Sequence, residues 1–224
     1  MEAKFEKVTI GEKIANFFTS YRKLLLVILI AVAAFVLCYG IVSTVVSKAS
    51  VKGLEDIDSI AYIMTKDSAN LSQEALEARR ANALASLADY NGKCGVVGVR
   101  ANMLSAEIKF SQKNYEDAAS FWNKAAEKGK KSYTAPLAYF NAGSAYENAG
   151  KLAEAEKAYA AAVSYKDFDQ IAHAKFSLGR VKEANGNKEG AVEVYTELFG
   201  STPDDSWAKL AESRLLALEL ADKE

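Results

Sequence analysis

The stretch "NAGSAYENAGKLAEAEKAYAAAV", residues 141–163, places small residues where a helix usually buries leucine. Its two halves have helical patterning, and the polar, glycine-containing segment between them predicts a tight turn. Gly143 recurs as Gly179, 36 residues later, and as Ala106, 37 residues earlier. A self-similar period in the mid-thirties is typical of a solenoid built from repeated helix pairs. The sequence therefore predicts stacked antiparallel helix pairs around this stretch.

The second helix of each predicted pair carries an alanine and, four residues later, an aromatic residue. The alanines are Ala118, Ala155 and Ala191, and the aromatic residues are Trp122, Tyr159 and Tyr195. A glycine inside a helix costs about 1 kcal/mol relative to alanine, so a glycine at this place needs a packing reason. We expect a neighbouring ring to fill the notch at Gly143, and both Tyr146 and Tyr159 are candidates.

This pattern resembles the tetratricopeptide repeat over about residues 97–205. The residues that carry the resemblance are Tyr139, Ala142, Gly143, Tyr146, Ala155, Tyr159 and Ala162 in the middle copy, Leu178, Gly179, Ala191, Tyr195 and Pro203 in the third, and Ala106, Ala118, Trp122 and Ala125 in a degenerate first copy. The resemblance implies an all-α fold, an α-solenoid of antiparallel helix pairs, whose usual task is to bind other proteins.

The flanks of the repeats also have helical patterning. Residues 54–66 and 72–90 are predicted to form two helices, a divergent pair that follows a linker within 48–96. Residues 206–224 open with an aspartate cap just before them and predict a C-terminal capping helix. In that helix we expect Trp207, Leu210 and Leu215 to pack on the last repeat.

Residues 24–47 form an uncharged run of 24 residues. As a helix this run is about 36 Å long, which exceeds the hydrocarbon thickness of about 30 Å. It is too long for the apolar core of a cleaved signal peptide and therefore predicts a transmembrane helix that is retained as a signal anchor. Before it, Thr9 and Glu12 have the spacing of a capping box, which predicts the start of a helix in the tail.

Residues 1–23 hold five basic residues against three acidic ones. By the positive-inside rule this excess predicts a cytoplasmic tail and a domain on the other side of the membrane. The expected protein therefore crosses the membrane once, and everything after Lys48 lies outside the cytoplasm.

The residue types that carry catalysis are scarce. The chain has one histidine and two cysteines, and no spacing of a metal site or a phosphate-binding loop occurs. Its net charge of −1 shows no basic excess for nucleic acid. We expect no enzymatic activity, cofactor, metal, nucleic acid or small-molecule substrate.

The family resemblance also implies a concave face, lined by the first helix of each pair. Its implied residues are Arg100, Met103, Glu107, Phe110, Phe140, Ser144, Glu147, His173, Phe176 and Arg180. Three of them, Met103, Phe140 and Phe176, occupy the same place in successive repeats and would form an apolar stripe. Two interpretations remain open: the stripe binds an extended or helical polypeptide, or it packs between repeats.

The order of cytoplasmic tail, single span and alanine-rich repeats is similar to that of the ancillary subunits of the SecYEG translocon in bacterial inner membranes. This resemblance implies a single-pass protein of the inner membrane with its C-terminal domain in the periplasm. It also implies a tether whose partners are translocon subunits, a periplasmic chaperone or client polypeptides. Two alternatives stay open from the sequence: a scaffold for an envelope complex of cell division or outer-membrane assembly, and an organelle import receptor with cytosolic repeats.

Overall fold

The computed structural model describes residues 9–221, and within them every regular element is helical. In chain order the helices are α1 Ile10–Thr65, α2 Gln73–Asn91, α3 Gly95–Ser111, α4 Tyr115–Lys128, α5 Thr134–Asn148, α6 Leu152–Val163, α7 Ile171–Ala184, α8 Lys188–Ser201 and α9 Ser206–Ala221. A short 3-10 turn, Ser68–Asn70, connects α1 to α2. The predicted all-α fold is confirmed. Residues 1–8 of the predicted tail and 222–224 of the predicted capping helix lie outside the described residues.

The chain divides into two compact units, Met1–Val51 and Lys52–Glu224. In the first unit, the capping box at the start of α1 forms as predicted. The Thr9 backbone N–H donates to Glu12 Oε2 at 2.8 Å, and the Glu12 backbone N–H donates to Thr9 Oγ1 at 3.3 Å. Further along, the apolar side chains of 24–47 are exposed, apart from the half-buried Leu25. Among the described residues, α1 alone is long and apolar enough to cross a membrane.

The predicted helices at 24–47 and 54–66 belong to one element, because α1 is continuous from Ile10 to Thr65. No proline occurs between these two segments, so nothing in the sequence ends the helix there. Within the second unit, the last part of α1 packs with α2 and α3 around a small aliphatic core. Its buried members are Ile57, Ala83, Leu87, Val97, Ala101, Leu104 and Ile108.

The three following pairs, α3 with α4, α5 with α6 and α7 with α8, share one turn geometry. Each turn contains a residue in the left-handed region: Lys113 with φ 59°, Gly150 with φ 72° and Gly186 with φ 82°. Glycine adopts this conformation without steric cost, whereas the lysine of the first copy does not. The degenerate first repeat therefore keeps the turn of the other two without their glycine.

Tyrosine rings fill the glycine notches of the middle and third repeats. A Cβ atom added to Gly143 would lie 2.7 Å from Cδ1 of Tyr159, and one added to Gly179 would lie 2.4 Å from Cε1 of Tyr195. Of the two candidates for the first notch, Tyr159 is thus the ring that fills it. Tyr146 is half-buried and accepts a hydrogen bond from Asn123 Nδ2 at 3.0 Å. Only a glycine lets these helix pairs approach so closely.

Helix α9 covers the end of the stack. Ala208, Ala211 and Leu218 are buried there, with Trp207 and Leu215 partly buried beside them. The prediction that Leu210 packs on the last repeat is wrong, since this side chain is 47% exposed. The buried positions recur at helical spacing along one face of α9, and residue 210 lies off that face.

Candidate functional site

Successive helix pairs are connected by a repeated group of glutamate, tyrosine and arginine. Glu147 on α5 accepts a hydrogen bond from the Tyr159 hydroxyl at 3.1 Å and forms a bidentate ion pair with Arg180 of α7, with Nη2 to Oε2 at 2.8 Å. Glu183 on α7 does the same one repeat later. It accepts from the Tyr195 hydroxyl at 3.4 Å and from Arg214 Nε of α9 at 3.2 Å.

The first repeat lacks this polar group. Phe110 stands where the middle repeat has Glu147, 37 residues later, and its ring lies 5.4 Å from that of Trp122. Trp122 is the counterpart of Tyr159, and its Nε1 is buried without a hydrogen-bond partner. The substitution of a ring for a carboxylate explains why this indole N–H has no acceptor.

Five of the ten predicted concave residues line one cleft of about 410 Å³: Phe140, Ser144, Glu147, His173 and Arg180. The cleft lies between α5 and α7. Asn148, Tyr159 and Ser177 complete its lining. Its walls are therefore mostly polar, with hydroxyl, amide, carboxylate and guanidinium groups close together.

The other five predicted residues lie elsewhere in the second unit. Arg100 and Met103 line a different groove near the start of α3, and Glu107 lines a pocket formed with α1 and α2. Phe110 packs on Trp122, and Phe176 packs near the Tyr195 ring at 5.8 Å. The structure thus distributes the predicted face over separate surfaces.

The rings of the proposed apolar stripe are engaged with neighbouring rings. Phe140 is only 9% exposed, and its ring centroid lies 5.5 Å from Tyr159 and 4.7 Å from His173. Trp207 of α9 stacks on His173 with centroids 3.7 Å apart and planes 5° apart, and it also contacts Phe176 at 5.5 Å. The rings of Phe140 and Phe176 are therefore occupied by packing within the second unit.

Sequence reasoning missed Asn148, Ser177 and the stacking of Trp207 on His173. Asn148 and Ser177 are ordinary polar residues, and only the crossing of α5 and α7 turns them toward one cleft. The Trp207 contact had a usable signal, because a tryptophan in a predicted capping helix was expected to pack on the last repeat. The residue it would stack on could not be read from spacing.

His173 and Tyr159 in the cleft, and Tyr195 in the next repeat, have shifted pKa values with clear causes. Burial lowers the pKa of His173 below its ordinary value of 6.5, and the nearby charge of Arg180 lowers it further. Burial, followed by the charge of Glu147, raises the pKa of Tyr159. Burial, followed by the charge of Glu183, raises the pKa of Tyr195 to about 12. At neutral pH the cleft therefore contains the neutral imidazole of His173 and the un-ionised phenol of Tyr159.

Because the folded state disfavours protonated His173, acid is expected to weaken the repeats. The unfolded chain takes up this proton near pH 6.5 and the folded chain only at lower pH, so stability is complete above the unfolded pKa and falls as the pH decreases toward the folded one. Urea unfolding between about pH 7.5 and about pH 5.5 measures this slope. His173→Gln should flatten it, and an unchanged slope in that variant would contradict the assignment.

The cleft is suited to recognition by hydrogen bonding. Among residues 9–221 no group of three or more histidine, cysteine, aspartate or glutamate side chains could hold a metal ion. Glu147 and Arg180 are already paired with each other. A ligand that binds them must therefore replace the hydrogen bonds of this pair with its own. Such exchange suits a polypeptide, whose amide and carbonyl groups present both donors and acceptors.

Comparison with known proteins agrees with this geometry. Residues 140–206, which contain the cleft and both glycine notches, match the model of the tetratricopeptide repeat. The chain is also similar to a "TPR repeat-containing protein" of Treponema pallidum (strain Nichols), with 32% identity over 148 residues. That alignment covers 66% of this chain and 60% of the relative, so the chain spans less than two thirds of the relative's length. The second unit is therefore an α-solenoid of tetratricopeptide-like helix pairs, a fold that indicates a protein–protein interaction module.

Proposed function

We propose that this chain is a membrane-tethered interaction module, with one span at 24–47, a cytoplasmic tail and repeats in the periplasm. The exposed apolar surface of 24–47 supports the span, since so much uncovered hydrocarbon is stable only in lipid or against another protein. The basic excess in residues 1–23 supports the orientation. Binding of a polypeptide by the repeats is the activity that this arrangement serves.

The specific role that we propose is assistance to protein translocation, or hand-off to a periplasmic chaperone, at the Sec translocon. The observation that carries it is the cleft between α5 and α7, where five predicted residues meet. Ser144 and Asn148 offer groups to a peptide backbone, and Arg180 can leave Glu147 to bind a partner's carboxylate. Confinement to a membrane raises the effective concentration of cleft and client, so a weak interaction is sufficient.

Site-specific photocrosslinking in intact membranes tests this role. A photoreactive phenylalanine analogue at Ser144 reports the cleft, and the same analogue at Ala160, an exposed position on α6, is the matched control. We expect Ser144 to crosslink to translocon subunits, a chaperone and many unfolded clients, and Ala160 to crosslink to few of them. Equal crosslinking from both positions would contradict cleft-mediated binding.

The same experiment separates the alternatives. One stoichiometric envelope protein crosslinked at Ser144, without clients, would favour a scaffold for cell division or outer-membrane assembly. Orientation is tested by adding protease to intact spheroplasts. Periplasmic repeats are digested there, whereas cytosolic repeats are protected and would favour the import-receptor alternative.

A further inference from the structure

Two connections at one end of the second unit lie side by side. Residues 91–96 contain the end of α2, a short loop and the start of α3, and residues 128–134 contain the end of α4, a second loop and the start of α5. These two segments are called the two loops below. Lys128 joins them, because its Nζ donates to the carbonyl oxygens of Gly92 at 3.2 Å and Lys93 at 3.0 Å. Together with Leu54, Met103 and Leu137 they border a groove of about 850 Å³. The proposed client cleft shares no lining residue with this groove.

The two loops expose large apolar side chains that the core leaves uncovered. Tyr133 is 91% exposed and Val96 is 58% exposed. The turn that carries Tyr133 is ordered, since Ser132 and Thr134 hydrogen-bond through their hydroxyl groups at 3.0 Å. Tyrosine is enriched at protein interfaces and at membrane interfaces, where one part of the side chain is in an apolar environment and its hydroxyl is in water.

The charge of these loops differs from that of the rest of the domain. They contain Lys93, Lys128, Lys130 and Lys131 and no acidic residue. By contrast, residues 49–224 outside the two loops hold 18 basic residues (28 minus 6 in residues 1–48 and minus these 4) and 26 acidic ones (29 minus 3), which gives a net charge of −8. A basic cluster interleaved with exposed apolar side chains is complementary to a surface whose outer layer is anionic and whose deeper layer is apolar.

The chain also places this groove close to its own apolar run. Leu54, at the groove's edge, follows Ser47 by seven residues. Seven residues span at most about 25 Å even when fully extended. If 24–47 lies in a bilayer, the edge of the groove is therefore within about 25 Å of that bilayer, in any orientation of the domain.

We propose that the two loops form a docking surface for the anionic phospholipid of the membrane that anchors the chain. Lys93, Lys130 and Lys131 contact lipid phosphates, while Val96 and Tyr133 enter the boundary between headgroups and acyl chains. This inference rests on the proposed anchoring of 24–47. Its consequence is that lipid composition controls how the repeat domain is held at the membrane.

Cys94 provides a probe inside the surface, because it is exposed and lies in the first loop. The full-length chain with Cys38→Ser is labelled at Cys94 with a fluorophore and reconstituted into nanodiscs that contain a nitroxide-headgroup lipid. We expect strong quenching in discs with phosphatidylglycerol and weak quenching in discs of phosphatidylcholine alone. Sodium chloride at about 1 M, where the Debye length is about 3 Å, should remove most of the difference.

Charge reversal tests the lysines. Lys130→Glu with Lys131→Glu should reduce the docking equilibrium constant at least about fivefold for each lysine and return quenching to the phosphatidylcholine level. Lys157→Glu with Lys209→Glu changes net charge equally on the exposed faces of α6 and α9, and it should leave quenching unchanged. Equal urea midpoints for both double variants verify that folding is intact.

The remaining outcomes overturn the inference in different ways. An anchored chain that is quenched equally in both lipids overturns lipid docking alone. If the fluorescence of the Cys94 label changes on addition of polyglutamate but is not quenched more in phosphatidylglycerol discs, lipid docking is overturned in favour of an acidic polypeptide partner. A chain that alkaline carbonate releases from vesicles overturns the anchor itself, and the docking inference with it.

Discussion

Replacing Tyr195 by alanine is expected to lower the free energy of unfolding of the repeats by about 3–5 kcal/mol. The side chain is fully buried, its ring lies against the backbone of Gly179, and it contacts the Phe176 ring at 5.8 Å. Its removal leaves a cavity that rigid helices cannot close, because Gly179 has no side chain to move into it. The loss should therefore fall at the upper end for an aromatic core residue.

Urea unfolding of the full-length protein in micelles measures this loss. Both tryptophans, Trp122 and Trp207, belong to the second unit, so their fluorescence reports the repeats without interference from α1. Tyr133→Ala is the matched control, since that ring is almost fully exposed and its loss should not shift the midpoint. Tyr195→Phe should cost under about 1 kcal/mol, because Glu183 keeps its ion pair with Arg214. A midpoint for Tyr195→Ala close to that of Tyr195→Phe would contradict the packing account.

Adding one methyl group at Gly179 is expected to destabilise the protein by about 1–2 kcal/mol. Alanine favours a helix over glycine by about 1 kcal/mol, but the new Cβ would lie 2.4 Å from a ring carbon of Tyr195. Relief of such a contact requires the ring or a helix to move, which typically costs about 1–3 kcal/mol and more where the neighbours are tightly packed. The steric cost should therefore outweigh the gain in helix propensity.

Gly200→Ala is the matched control for this substitution. Gly200 also lies in a helix, and an added Cβ there would have nothing within 4 Å. That variant should be as stable as the wild type or slightly more stable, since only the propensity term acts. When Tyr195 is already replaced by leucine, Gly179→Ala should cost little further stability, because the ring that its Cβ would contact is absent. Urea unfolding should show a lower free energy of unfolding for Gly179→Ala and an equal or higher one for Gly200→Ala. This difference distinguishes packing at the notch from a general effect of replacing a helical glycine.

The repeats could be predicted because their signal is local and recurs. Gly143 and Gly179 lie in the same register, each with a tyrosine 16 residues later, and one rule about close helix contact accounts for both. The capping box at Thr9 was equally accessible, since it depends on only four consecutive residues. The register of α9 was harder, and Leu210 was misplaced because a sequence of scattered leucines allows more than one buried face.

The candidate site could be predicted only in part. The family resemblance placed Ser144, Glu147 and Arg180 on one face, and they do line one cleft. It could not foresee that Trp207 would stack on His173, since that contact depends on the angle at which α9 meets α7. The groove beside Tyr133 was not foreseen either, because its two loops are 32 or more residues apart in the chain and are brought together by the packing of α2 to α5.

The interlocking of Gly143 and Gly179 with the Tyr159 and Tyr195 rings restricts how this sequence can change over evolutionary time. A substitution that adds a side chain at residue 143 or 179 is tolerated only if the facing tyrosine is also substituted. The two positions are therefore expected to change together. Within the chain the same positions differ together, since the first copy has alanine at 106, tryptophan at 122 and phenylalanine in place of the glutamate. Related sequences should therefore show correlated, and not independent, variation at these positions.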